Sequence, residues 1–116
     1  DGPIGYKTGL GGIVYQTGTI TTSVTLNKLC GRIVTVTDAV GGYPASKSFT
    51  LLNSFITASS IVLVNVAETT ANSSKYHAEA TNVKDGSCVI KLFDEYGAGG
   101  AGTIAINFMV LWVATA

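Results

Sequence analysis

His77 and Glu79 have the strongest claim to chemistry in this chain. In a strand, residues two apart point to one face, so an imidazole and a carboxylate would stand side by side there. Such a pair could offer two ligands to a metal, but a zinc site needs three or four, and His77 is the sole histidine with no dense carboxylate cluster to help it. The same scarcity removes a base for a nucleophilic serine or cysteine, and no serine stands in a Gly-x-Ser-x-Gly elbow. Glu68, Glu79, Asp85, Asp94 and Glu95 could in principle supply a carboxylate pair for glycoside cleavage, yet the adjacent Asp94 and Glu95 would point to opposite faces of a strand. Loop carboxylates could hold calcium, but the EF-hand spacing is missing. The glycine groups at 9–12 and 97–102 lack the following helix and the Lys-Ser/Thr ending of a phosphate loop, and are read instead as places of close backbone approach. No catalytic residue, cofactor or metal ligand is therefore expected, and the chain is not expected to be an enzyme.

What remains is binding chemistry. Tyr6, Tyr15, Tyr43, Tyr76 and Tyr96 each combine an apolar ring with a wet hydroxyl, and Tyr43 and Tyr96 fall in loops, which makes them the candidate ligand or receptor contacts. Asn72-Ser73-Ser74 matches a glycosylation sequon, meaningful only in a secretory pathway. Cys30 and Cys88 are too far apart for a zinc ribbon or a Cys-x-x-Cys motif; they are read as two small buried thiols, with one disulfide left open.

The elements that must position these residues are strands. Val, Ile, Thr, Tyr and Phe recur in short runs broken by Gly, Asn, Asp, Ser or Pro, and helix signals are nearly absent. Residues 1–12 carry too many glycines for a regular element and are read as an arm or loop ahead of a single domain over 13–116. Strands are expected over 13–17 and 22–26, as a hairpin around Gly18, then over 31–37 and 47–52. The turn between those last two spans Asp38 to Pro44. Residues 53–60 could hold one helical turn, and 61–67 is an apolar run consistent with burial on both faces.

Residues 74–83 alternate Tyr76, Ala78, Ala80 and Asn82 against His77, Glu79 and Thr81, with the second set facing out. Asp85-Gly86 is the strongest hairpin signal and joins that strand to 87–93. The last strand, 103–113, is long and central: Ile104, Ile106, Phe108, Val110 and Trp112 line one side, and the other is also mostly apolar. That second apolar face, together with Trp112 at the end of the strand, predicts a subunit contact through Met109, Leu111, Trp112 and Val113. About eight strands at such spacing predict an antiparallel two-sheet sandwich of jelly-roll type; an immunoglobulin sandwich would want its Trp between the cysteines, and Trp112 is not there.

Composition points to an assembly. Charged residues are 12% of the 116, against about 25% in ordinary domains, while 47% are apolar. A domain this small cannot hide so much apolar surface in one core. The longest apolar stretch, 104–114, is interrupted by Asn107 and is about half a bilayer-spanning helix, so no membrane segment is expected. Seven basic residues balance seven acidic ones, which argues against a nucleic-acid partner. The chain begins at Asp1 without Met, as expected of a processed or excised piece.

Four segments in series resemble a family of small β-domains encoded by tailed bacteriophages. They are Gly5-Tyr6-Lys7-Thr8-Gly9-Leu10-Gly11-Gly12-Ile13-Val14-Tyr15-Gln16, Val24-Thr25-Leu26-Asn27-Lys28-Leu29-Cys30-Gly31-Arg32-Ile33, Phe49-Thr50-Leu51-Leu52-Asn53-Ser54, and Ile104-Ala105-Ile106-Asn107-Phe108. The resemblance runs nearly end to end and departs from the pattern in the loops 40–44 and 95–99. It implies a homotrimeric structural protein at a virion surface, assembled in the host cytoplasm. The role would be capsid decoration or cement, or the terminal domain of a tail fibre or spike. Partners would be further copies of the chain, capsid or tail proteins, and for a fibre tip a bacterial surface glycan. The alternative is a carbohydrate-binding or adhesin β-sandwich outside any virion.

Overall fold

A computed structural model describes residues 11–36, 45–69, 76–94 and 102–112. Eight strands appear: β1 (Ile13–Tyr15), β2 (Val24–Thr25), β3 (Cys30–Val34), β4 (Ala45–Leu52), β5 (Ser60–Thr69), β6 (Tyr76–Lys84), β7 (Ser87–Asp94) and β8 (Ile104–Trp112). They form two four-stranded sheets, β1-β3-β8-β5 (sheet A) and β2-β4-β7-β6 (sheet B). Among the described residues there is no helix, and none long and apolar enough to cross a membrane. The all-β, two-sheet expectation is met.

The purely antiparallel jelly roll is not. β1 pairs parallel to β3, and β2 parallel to β4, beside antiparallel pairs in the rest of each sheet. The reason lies in the route of the chain. From β1 to β6 every step crosses from one sheet to the other, and each crossing reverses direction, so strands two steps apart run the same way. The segment expected to form a β1–β2 hairpin around Gly18 is thus an arch between sheets. Its clamp is Gln16, a buried residue whose Nε2 donates to the carbonyls of Ile20 (3.0 Å) and Thr22 (2.8 Å). The Gln16 Oε1 accepts from Val36 N–H at 3.3 Å, and Gly18 takes φ +78° within the arch.

The β6–β7 connection does stay within one sheet, at Asp85-Gly86 as expected, with Lys84 opposite Ser87. Gly86 adopts φ +86°, and the register slips between Thr81 and Lys84, where Asn82 takes φ 49°. The bulge turns Asn82 outward and half-buries Val83, against the simple alternation expected for 74–83.

Residues 53–59 hold two turns instead of a helical turn. Ile56 N–H donates to Asn53 O (3.1 Å) and Ser60 N–H to Thr57 O (2.9 Å). Side-chain oxygens compete for the remaining backbone donors: Asn53 Oδ1 accepts from Phe55 N–H and Ser60 Oγ from Thr57 N–H, both at 2.9 Å, which favours turns over helix. The β6–β7 hairpin tip docks here, with Asn53 N–H donating to Gly86 O, Gly86 N–H to Ile56 O and Ala58 N–H to Asp85 Oδ1.

Between the sheets lie Ile33, Ile104, Ile106, Phe108 and Val110 from sheet A and Val24, Phe49, Leu51, Cys88, Ile90 and Leu92 from sheet B. Each fully buried Ile or Leu contributes roughly 2 kcal/mol. β8 is an interior strand of sheet A, as expected. β5 is an edge strand, so the apolar run expected to be buried on both faces is buried on one: Val62, Val64 and Val66 face the core, while Ile61 and Leu63 are exposed.

Candidate functional site

His77 and Glu79 project from the outer face of sheet B, as their strand position implies. The His77 ring lies 4.8 Å from that of Phe93, and Lys91 Nζ sits 5.2 Å from the same ring. Glu79 is opposite Lys91 in the ladder. Ser46, Ser48, Thr50 and Thr81 share this face with Val89 and the exposed Leu52, so polar side chains predominate on it. Among the described residues no three of His, Cys, Asp and Glu come together to hold a metal. Asp85 spends its carboxylate on the Ala58 N–H, a structural role.

Tyr43, Tyr96 and Val113 lie outside the described residues, as do Tyr6, the sequon at Asn72 and most of the glycine group at 97–102. Of the other tyrosines, Tyr76 is in the core with its hydroxyl unpartnered among the described residues, and Tyr15 is exposed on sheet A.

Both cysteines are free thiols. Cys88 faces the core, whereas Cys30 is only half-buried, because the parity that sends Ile33 inward sends Cys30 to the outer face of sheet A. Burial pushes the Cys88 thiol up from its usual 9.0 to about 11. A thiol-specific reagent at pH 8 is accordingly expected to modify Cys30 in the folded protein and to spare Cys88 until denaturant is added. Above pH 9.0 the unfolded chain ionises this thiol while the folded chain holds its proton until about 11. Rising pH therefore favours the unfolded state across that window, and the Cys88 contribution to stability, complete below 9.0, is lost by about 11. Denaturation midpoints of wild type and Cys88→Ala, compared at pH 8 and pH 10.5, check the sign: the wild type should fall further.

The outer face of sheet A is unlike that of sheet B. Cross-strand register places Ile61 beside Leu111, then Leu63, Met109 and Cys30 in one row, Asn65, Asn107, Arg32 and Ile13 in the next, and Glu68, the buried Ala105, Val34 and Tyr15 beyond. Exposure is 57% for Ile13, 68% for Tyr15, 47% for Ile61 and 52% for Leu63. Met109 and Leu111, singled out as interface residues from the last strand, are half-buried on this same face. Trp112 ends the strand 60% exposed, its Nε1–H donating to Phe55 O at 3.0 Å. Sequence reasoning missed Ile13, Tyr15, Ile61 and Leu63, which reach the surface patch through pairing with β8 directly or by way of β3.

In the middle of this apolar surface, Arg32 Nε–H donates to Asn107 Oδ1 at 3.0 Å. A groove of about 290 Å³ runs beside Asn107, walled by Leu63, Asn65 and Met109. A sheet face with this many exposed apolar side chains fits a protein partner better than a small polar substrate. Comparison of the chain with protein-family models, with curated proteins and with solved structures finds no match.

Proposed function

We propose that this chain is a homotrimeric structural module of a bacteriophage virion surface, serving as a capsid decoration or cement protein or as the terminal domain of a tail fibre or spike. The observation that carries the assembly part is the outer face of sheet A, where Ile13, Tyr15, Ile61 and Leu63 stand exposed in one register with Met109 and Leu111. Soluble monomers rarely leave so many large apolar side chains exposed on one sheet face. The virion part is supported by the four segments that resemble the phage domains, and two of them meet in space. Leu26 N–H donates to Leu52 O, Asn27 Oδ1 accepts from Ser54 N–H, and Lys28 O accepts from Asn53 Nδ2. Those motif residues hold arches together, which suits a scaffold whose loops carry individuality.

Light scattering on the purified protein at micromolar concentration is expected to give three times the chain mass of 11.9 kDa. A single-chain mass across that range would overturn the assembly reading. Head or tail structural genes are expected beside the coding gene; a gene set among host metabolic genes would overturn the virion reading.

A further inference from the structure

The edge of a sheet carries backbone N–H and C=O groups with no strand to receive them, and folded chains ordinarily blunt such edges with short strands, charges or bulges. Three of the four edges here are blunted. β1 is three residues long and β2 two, while β6 carries His77, Glu79 and Lys84 and is bent by the bulge at Asn82. β5 is different. It is ten residues long, and from Ser60 to Ala67 it holds no charged residue and no proline; its register shift and Glu68 come only afterwards.

Strand register fixes which backbone groups of β5 are open. Thr35 N–H donates to Ile104 O at 2.9 Å and Val110 N–H to Leu29 O at 2.7 Å, so the even-numbered residues of β8 turn their backbone groups toward β3, and Asn107, Met109 and Leu111 turn theirs toward β5. Their partners Asn65, Leu63 and Ile61 are thereby engaged. Val62 and Val64 point their N–H and C=O away from the sheet, with no hydrogen-bond partner among the described residues. We propose that this edge pairs with β5 of a second copy, the two strands running antiparallel about a two-fold axis at Val62.

The side chains beside those open groups are what single out a copy of the chain. Along the outer side of β5 and the turn before it, the exposed residues are Ser59, Ile61, Leu63 and Asn65: polar, apolar, apolar, polar, a pattern symmetric about Val62. A two-fold contact needs a patch that complements itself, and this one does. Pairing centred on Val62 sets Ile61 opposite Leu63 of the second copy and Leu63 opposite its Ile61, with Asn65 beside Ser59 at either end. Ile61 and Leu63, 47% and 52% exposed in the single chain, then cover each other. The neighbouring alignments set Ile61 opposite Asn65 or Leu63 opposite Ser59, so the pattern selects the register. In the ladder, the N–H and C=O of Val62 meet those of the other Val62, and Val64 N–H reaches the carbonyl of Ser60. Ser60 N–H already donates to Thr57 O at 2.9 Å, so the ladder ends there. The contact lies at the edge of sheet A and is separate from assembly through its face, so it joins copies beyond those of one module.

A two-stranded contact this short is weak by itself, so the experiment follows wild type, V62P and I13K from micromolar to sub-millimolar concentration by light scattering, with amide hydrogen exchange on the wild type. Val62 N–H has no partner within its own chain, so proline there removes the central donor of the pairing and leaves the β5–β8 ladder whole. The wild-type mass is expected to rise at least about twofold above its micromolar value, and exchange at the Val62 and Val64 amides to slow at least about tenfold over the same range. V62P should lose the rise. I13K, changed at the opposite edge of the same sheet, should keep it. A wild-type mass and Val62 and Val64 exchange that do not depend on concentration would overturn the pairing, as would a folded V62P that still shows the rise or an I13K that loses it. Slow exchange at Val62 and Val64 with no rise in mass would mean that a different strand covers the edge, and would overturn the second copy as its occupant. The exchange measurement needs no substitution and decides the matter even where V62P does not fold. The micromolar mass tests the trimer and the rise above it tests the edge: a single-chain mass that still doubles overturns the trimer and keeps the pairing, whereas a trimer with no rise overturns the pairing alone.

Discussion

Replacing Gly31 with alanine is expected to lower the folding stability by about 3 kcal/mol, at the upper end of what overpacking a tight site costs. A Cβ at Gly31 would lie 2.7 Å from Gly12 O, 2.8 Å from Leu26 Cδ2 and 3.1 Å from Phe108 Cε2. Leu26 could rotate away, but Gly12 O is backbone and is already engaged, accepting from Arg32 N–H at 2.9 Å. Relief would have to come from pushing β1 off β3, and that pairing is only three residues long. The same movement would carry Ile13 and Tyr15 away from the rest of the sheet A face, so association should weaken alongside stability. Gly86→Ala is the informative comparison. A Cβ there meets nothing within 4 Å, and its burden is the φ of +86° alone, about 1 kcal/mol. Urea denaturation midpoints of the two variants should separate clearly. If Gly31→Ala costs no more than Gly86→Ala, the close approach of β1 to β3 is not as tight as described.

Strand positions were largely legible because alternation and turn residues are local signals. β4, β6, β7 and β8 fall within a few residues of where Val, Ile, Thr and aromatic runs place them, and Asp85-Gly86 marks its hairpin. Sheet membership was not legible. An arch and a hairpin both need a Gly-containing turn between two alternating segments. What decides for the arch at 16–23 is Gln16, whose bonds to Ile20, Thr22 and Val36 span up to twenty residues and leave no periodic trace. The edge position of β5 was hidden for a different reason. Ile61, Leu63 and the inward Val62, Val64 and Val66 are apolar on both faces, and such a run reads as doubly buried when one of its faces is in fact exposed.

The candidate surface was half visible. Met109 and Leu111 stood out because β8 is apolar on its second face, but their neighbours Ile13, Tyr15 and Leu63 come from strands far away in sequence and join only through register. One signal could have reached further. Asn65 and Asn107 each interrupt an apolar strand, and two such interruptions facing outward on paired strands are a reason to expect a shared row.

Asn53→Ala is expected to cost about 2 kcal/mol, because it leaves two part-buried backbone groups without their partners and each loss of a fully buried partner runs at roughly 1–3 kcal/mol. Asn53 is 1% exposed; its Nδ2 donates to Lys28 O at 2.6 Å and its Oδ1 accepts from Phe55 N–H at 2.9 Å. Its own backbone N–H donates to Gly86 O, so one residue joins the β2–β3 arch, the β4–β5 turns and the β6–β7 hairpin tip. Asn53→Asp should do no better, although it keeps the acceptor for Phe55. It replaces the donor with a carboxylate oxygen facing a carbonyl, an arrangement that repels in a site with little water. Asn27→Ala removes a similar-looking bond, Asn27 Oδ1 to Ser54 N–H at 2.9 Å, but an exposed one, and should cost well under about 1 kcal/mol since water replaces the lost partner. Hydrogen exchange separates a local effect from a global one. If Asn53 joins all three connections, its loss should speed exchange at Phe55 and Gly86 together and lower the denaturation midpoint. Faster exchange at Phe55 alone, with the midpoint unchanged, would mean that the arches are held by their strands and that Asn53 only shapes its own turn.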